Sequence, residues 1–186
     1  MSSHHFVKED QEPALLIIDP DAIPFEKIQE LLEWSPLVIV AQRAMEKVLG
    51  WGIKIDVVLT SHHDEAFRQV VMDQSPIQVL TSRPAENDLN AICKFLTDRK
   101  QNNLNVITAD AQEYFAATAL ISEINVVLFD STARWLFILN GSYSKWFPAE
   151  TPIQTFINGN LEKTDVRKAG VFKIERKESF WVGESY

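Results

Sequence analysis

The chain has 186 residues, enough for one domain or two small ones, and a hydrophobic content of 46% suits a globular protein with a real core. Its 18 Lys and Arg against 26 Asp and Glu leave a net charge of −8, which argues against nucleic acid and anionic membrane as partners, since both need a basic surface. No apolar run approaches the ~18 residues of a membrane span, the polar stretch Met1 to Gln11 reads as a flexible tail with no signal-peptide core, and the lone Cys93 forbids an internal disulfide and suits a reducing cytoplasm.

Leu15 to Asp19 is a short apolar run ended by Asp-Pro-Asp and predicts a first buried strand. Phe25, Ile28, Leu31 and Leu32 fall at helical spacing between Pro24 and Trp34, and Ser35-Pro36 stops that helix. Leu37 to Ala41 is a second strand. Ala44 to Leu49 is a short helix with Gly50 and Gly52 near its end. Asp56 to Leu59 is a third strand and Glu65 to Met72 a helix. Ile77 to Thr81 is a fourth strand, followed by a helix over Asn87 to Arg99 with Asn87 as cap. On that helix Cys93 shares an apolar face with Leu89, Ile92 and Leu96 and reads as a buried structural thiol. Asn105 to Thr108 is a fifth strand, Asp110 to Ile121 a helix opening on the capping-box pattern Asp110-x-x-Glu113, and Ile124 to Phe129 a sixth strand.

Unbroken apolar strands alternating with helices predict an α/β domain over residues 12–130, with a doubly wound, mainly parallel sheet covered on both faces. After Asp130 the pattern changes. Trp135 to Leu139, Tyr143 to Phe147, Ile153 to Ile157, Val171 to Ile174 and Phe180 to Val182 read as short strands, with a hairpin signal at Asn140-Gly141 and the last two segments paired with each other. Trp135, Trp146 and Trp181, three of the five tryptophans, lie here. Residues 131–186 are therefore expected to form a small all-β, sandwich-like unit, too small to be stable alone and packed on the first domain or on a second copy of the chain.

In open α/β sheets ligands bind outside the carboxyl ends of the strands. The third strand ends on Thr60-Ser61-His62-His63-Asp64, a polar cluster at such an end. His62, His63 and Asp64 admit a metal-site reading, since imidazole plus carboxylate suits zinc or iron. Adjacent side chains on an extended segment point to opposite faces, however, and two solvated histidines beside a helix-capping Asp64 explain the cluster equally. Phosphate-cradling glycine motifs, the Gly-x-Ser-x-Gly turn and Cys-x-x-Cys are all absent, and the chain has six glycines in total.

Three local motifs carry a resemblance. Val40-Ala41-Gln42-Arg43-Ala44, a short helix and then Gly52-Ile53-Lys54-Ile55-Asp56-Val57-Val58-Leu59-Thr60-Ser61-His62-His63-Asp64 follow, without a gap, the V-A-A-D-G-A and G-I-x-P-D-x-V-I-G-D-F-D-S segments of thiamine pyrophosphokinases. Ala85-Glu86-Asn87-Asp88 falls on that family's D-x-T-D, and Ala109 to Thr118 on its G-G-R-x-D-H-x-L-A-N. The resemblance implies an α/β domain followed by a β unit, a homodimer formed through that unit, and transfer of a pyrophosphoryl group from ATP to thiamine with Mg²⁺. It places the family site at Gln42, Arg43, Ser61, His63, Asp64, Asp88, Glu113, Tyr114 and Thr118.

Most of the family's metal-facing carboxylates are replaced. Gln42 stands for one Asp and Arg43 for the neighbouring glycine; Ser61 and His63 stand for two more Asp residues, with Thr60 at the glycine before them; Ala85 stands for a fourth. Asp88 is the retained acid, although a first-turn acid also suits a helix dipole. Glu113 keeps the charge of the family Asp and also suits a cap. Arg43 either contacts a phosphate or fills the space of the old site. The expectation is a thiamine pyrophosphokinase-like protein with weak, altered or lost catalysis, against two alternatives: a non-catalytic small-molecule-binding or dimeric interaction module, and a metal-assisted hydrolase using Ser61, His63, Asp64 and Asp88.

Overall fold

Short aliphatic runs set the frame. Ala14–Ile17 (β1), Val38–Ala41 (β2), Val57–Thr60 (β3), Gln78–Thr81 (β4), Asn103–Ile107 (β5) and Asn125–Phe129 (β6) are strands, alternating with helices Phe25–Leu32 (α1), Met45–Gly50 (α2), Glu65–Asp73 (α3), Asp88–Asp98 (α4) and Gln112–Ala119 (α5). The computed structural model describes residues 12–61, 65–82, 88–119, 123–139 and 141–186. Every residue of β1, β2 and β3 is buried, as strands with helices on both faces require. The six strands are parallel and lie in the order β6-β5-β1-β2-β3-β4.

Alternation along the strands sorts the core into two layers. Leu15, Ile17, Val38 and Val40 meet Ile28 of α1, Met45 and Val48 of α2, and Phe67 of α3. Ala14, Leu16, Ile39 and Val57 meet Leu89, Ile92 and Leu96 of α4 and Phe115 of α5. Each fully buried Leu or Ile contributes about 1.5–3 kcal/mol, so these layers hold the helices onto both faces of the sheet. Among the described residues no helix is long and apolar enough to cross a membrane.

The sheet does not stop at Asp130. The later strands are Ala133–Ile138 (β7), Ser142–Phe147 (β8), Thr151–Ile157 (β9), Asn160–Val166 (β10), Gly170–Glu175 (β11) and Phe180–Ser185 (β12). β7 turns back antiparallel to β6, and β12, β9 and β10 extend the same sheet to ten strands. β8 and β11 form a separate two-stranded sheet. Tyr143, Phe147 and Ile174 of that small sheet pack on Ile153, Phe180 and Val182 of the large one. On the opposite face Phe115 stacks on Trp181, with centroids 4.5 Å apart, and meets Trp135 edge-on at 5.1 Å.

Two sequence expectations differ from the structure. β7 and β8, the strands on either side of Asn140-Gly141, do not pair with each other, because β7 pairs with β6 and β12 and β8 with β11; Asn140 itself lies outside the described residues. Gly141, at φ +65°, lies against the end of β11: a Cβ there would fall 2.2 Å from the Arg176 carbonyl oxygen. It leads the chain into pairing with β11. The Asn-Gly hairpin is instead Asn158-Gly159, where both residues take positive φ and Ile157 faces Asn160 across a two-residue turn. Its second strand, β10, escapes sequence detection because it is an exposed edge bearing Glu162, Lys163 and Asp165 rather than alternating hydrophobics. Phe180 to Val182 pair with β7 and β9, not with β11. All but the last residue of β12 is buried, which demands a central position that a lone hairpin cannot give.

One charged cluster ties the two sheets together. The Glu184 carboxylate on β12 accepts hydrogen bonds from the Tyr143 hydroxyl at 2.5 Å and from Lys145 Nζ at 2.7 Å, both on β8, with Arg134 Nε of β7 3.9 Å away. Burial pushes this carboxyl up, but the bonds from Lys145 and Tyr143 and the nearby positive charges outweigh it, so Glu184 titrates below the ordinary carboxylate range. A lowered folded-state pKa stabilises the fold above the unfolded pKa, and that contribution is lost as pH falls through the folded value. We therefore expect Glu184→Gln to cost about 1–3 kcal/mol at pH 7 and the gap to wild type to close as pH falls below about 4. Urea unfolding at both pH values reads this directly, and a gap independent of pH would contradict it.

Candidate functional site

β2, β3 and β4 run side by side in parallel, so their carboxyl ends stand at one level. Ala41 pairs with Leu59 and Thr60 with Thr81, and the Ser82 amide donates to the Thr60 carbonyl at 2.9 Å. The polar residues that follow each strand therefore converge. They line a cleft of about 440 Å³ formed by Ala41, Gln42, Arg43, Leu59, Thr60, Ser61, Ser82 and Asp88. This volume lies in the range of small-molecule sites. Sequence reasoning missed Ser82. The register of β3 and β4 sets it beside Ser61, and a Thr-Ser pair closing an apolar strand was the available signal.

Local bonds hold the lining in place. Gln42 and Arg43 lie in a 3-10 turn that follows β2 directly. The Thr60 hydroxyl donates to Gln42 Oε1, which fixes the amide. Arg43 Nε donates to the Ile18 carbonyl at 3.3 Å, drawing the guanidinium across the end of β1. Tyr114 on α5 stands by this arginine. Burial raises its hydroxyl pKa above the ordinary value, although hydrogen bonds with Thr108 and Arg43 pull the other way, and Asp88 adds a weaker push upward. The phenol thus stays protonated beside Arg43.

The remaining predicted site residues fall elsewhere. Glu113 is exposed in the first turn of α5, which starts at Gln112 rather than Asp110; the Asp110 carboxylate accepts from the Gln112 amide at 2.8 Å. Thr118 is buried, and its hydroxyl donates to the Tyr114 carbonyl at 2.8 Å. Cys93 is buried in the α4 face, and burial pushes its thiol up to about 12, which removes it as a nucleophile. His62, His63, Asp64, Ala85, Glu86 and Asn87 lie outside the described residues.

Mg²⁺ takes oxygen ligands, usually one or two carboxylates together with phosphates and water. Asp88 is the one carboxylate in the described lining, and the Arg43 guanidinium shares the cleft with it. Among the described residues no three His, Cys, Asp or Glu side chains converge on a possible metal position. Other acids at strand ends are engaged by local donors: Asp19 accepts from the Asp21 amide at 3.0 Å, Asp110, just before α5, accepts from the Gln112 amide, and Asp130 is enclosed by donors. The described residues do not fit a divalent-metal centre.

No protein-family model matches the sequence, and no curated protein sequence matches it. Solved structures do match its fold. Thiamine pyrophosphokinase from Bacillus subtilis aligns with a TM-score of 0.65 at 11% identity, over 93% of this chain and 99% of the other. Thiamin pyrophosphokinase from Candida albicans aligns at 0.68 and 10%, over 97% and 91%. The yeast enzyme aligns at 0.66 and 10%, over 97% and 88%. The chain thus has the fold of the thiamine pyrophosphokinases along nearly its whole length.

Asp130 fixes the frame in which α5 carries Tyr114 to Arg43. Its carboxylate accepts from the Trp135 indole at 3.0 Å and from the Ala111, Thr132 and Ala133 amides. We expect Asp130→Asn to cost about 2–4 kcal/mol, because a neutral amide offers one acceptor oxygen to these buried donors. Urea unfolding followed by tryptophan fluorescence measures it; a loss below about 0.5 kcal/mol would contradict the role.

Proposed function

We propose that this chain is a thiamine pyrophosphokinase-like protein that holds a small molecule in the strand-end cleft and has lost the family's Mg²⁺-assisted pyrophosphoryl transfer. The observation that carries the reading is the lining of the cleft. It is open, with room for a ligand, and its described side chains supply one guanidinium, one carboxylate, an amide and a group of hydroxyls.

Pyrophosphoryl transfer from ATP needs charge neutralised on the moving group and a base to take the acceptor's proton. Asp88, the one carboxylate of the described lining, cannot supply both a metal cradle and a base. Gln42 and Ser61 present neutral groups where carboxylates would serve, and each missing electrostatic contact of that kind costs on the order of 10²-fold in rate. Binding, by contrast, survives such replacements, because hydroxyls, amides and a guanidinium recognise ligands as well as carboxylates do. The open volume favours a binding role over a cleft closed by its own side chains.

The same reading takes the protein as a homodimer through its β strands. Trp146 and Val171 face each other across β8 and β11 and are 59% and 69% exposed, an apolar pair that supports this surface.

The test is an incubation of the full chain with ATP, thiamine and Mg²⁺, with AMP and thiamine pyrophosphate both quantified. We expect neither product above the protein-free background, while a thermal-shift screen of thiamine, thiamine pyrophosphate, AMP and ATP finds at least one stabilising ligand. Stoichiometric release of the two products would overturn the loss of catalysis. The absence of any stabilising ligand would overturn the binding role.

A further inference from the structure

We infer that the cleft receives the phosphate of a small phosphorylated metabolite directly on Arg43, with no divalent metal between them. The inference rests on the reading of the cleft as a ligand site and names what enters it.

Arg43 Nε is committed to the Ile18 carbonyl, and the residue lines the cleft from the end of β2. A guanidinium anchored through Nε presents its two terminal nitrogens as a planar fork, the geometry that matches two oxygens of a phosphate or carboxylate. Gln42 Oε1 accepts the Thr60 hydroxyl, which leaves the amide nitrogen as the donor this side chain can offer a ligand. Ser61 and Ser82 add hydroxyls at the ends of β3 and β4. Donors thus come from three strand ends, which suits the three terminal oxygens of a phosphate better than the two of a carboxylate.

The charges favour the same occupant. The described lining holds one cation and one anion, Arg43 and Asp88. A metal–phosphate unit would set a dication beside the guanidinium with a single carboxylate to balance it. A phosphate without metal meets the guanidinium directly, and Asp88 is left for the ligand's hydroxyl or amine groups. Tyr114 on α5 stands by the same arginine, its hydroxyl kept protonated by burial.

The test is isothermal titration of the full chain with inorganic phosphate, AMP, ATP and succinate, each in EDTA and again in MgCl₂, with thiamine as a cationic control. At least one phosphate-bearing probe should bind with equal affinity in both buffers, succinate should bind more weakly, and Arg43→Gln should weaken the phosphate probe by at least about tenfold. Arg43→Lys keeps the charge without the fork and should fall between, and near-ultraviolet circular dichroism checks that both variants keep the native packing. Phosphate binding that requires Mg²⁺, or that survives Arg43→Gln, overturns the inference. So does succinate binding as tightly as phosphate, or no binding by any of the four anions. Thiamine separates the two levels: its binding with no anion binding sinks the phosphate inference and leaves the cleft a ligand site, whereas silence from every probe removes both.

Discussion

The Asp130 carboxylate accepts five hydrogen bonds, from the amides of Ala111, Thr132 and Ala133, the Thr132 hydroxyl and the Trp135 indole, at the point where the sheet changes from parallel to antiparallel. A buried charge is costly unless donors surround it, and here they come from both sides of the change. Ala111 leads into α5, while Thr132 to Trp135 begin β7. One side chain therefore sets the start of the helix that carries Tyr114 and the return of the strand that carries Trp135. Phe115, the next residue of α5, then stacks between the aromatic rings of β7 and β12. The antiparallel strands are built onto the parallel sheet through this corner.

Much of this was legible in the sequence because the physics was local. The alternation of apolar runs with helical spacing is a property of neighbouring residues, and it located every strand and helix of the parallel half. Gly52-Ile53 is legible for the same reason: their amides donate to Leu49 and Val48 carbonyls, closing α2 in a Schellman motif. Asp56, which matches the family pattern, accepts from the Val38 amide at 3.0 Å and so registers β2 against β3. What failed was long-range. Two Asn-Gly dipeptides look alike in sequence, and only the partner strand decides which one makes a hairpin. A polar edge such as β10 carries no period at all.

The site divides along the same line. The matching half of the long motif, Gly52 to Leu59, consists of residues that shape the strand, so it reports fold and is retained. The half that would report chemistry begins at Thr60, where this chain places hydroxyls. Ser82 belongs to no motif and enters the cleft through the β3–β4 register alone. Thr118, in contrast, sits at a family site position yet its hydroxyl is turned onto the α5 backbone. Position in a motif gave the level of the sheet at which to look, and hydrogen bonding decided which side chains face the cleft.

The central claim is that the strand ends form a ligand cleft built on an arginine and hydroxyls rather than on metal-bearing carboxylates. Its most direct measure is a nuclear magnetic resonance titration of the isotopically labelled chain with AMP in EDTA. The account predicts saturable amide shifts at Gln42, Arg43, Thr60, Ser61, Ser82 and Asp88, with Glu113 and Thr118 little moved. Shifts gathered away from the strand ends, or appearing only when Mg²⁺ is added, would contradict it.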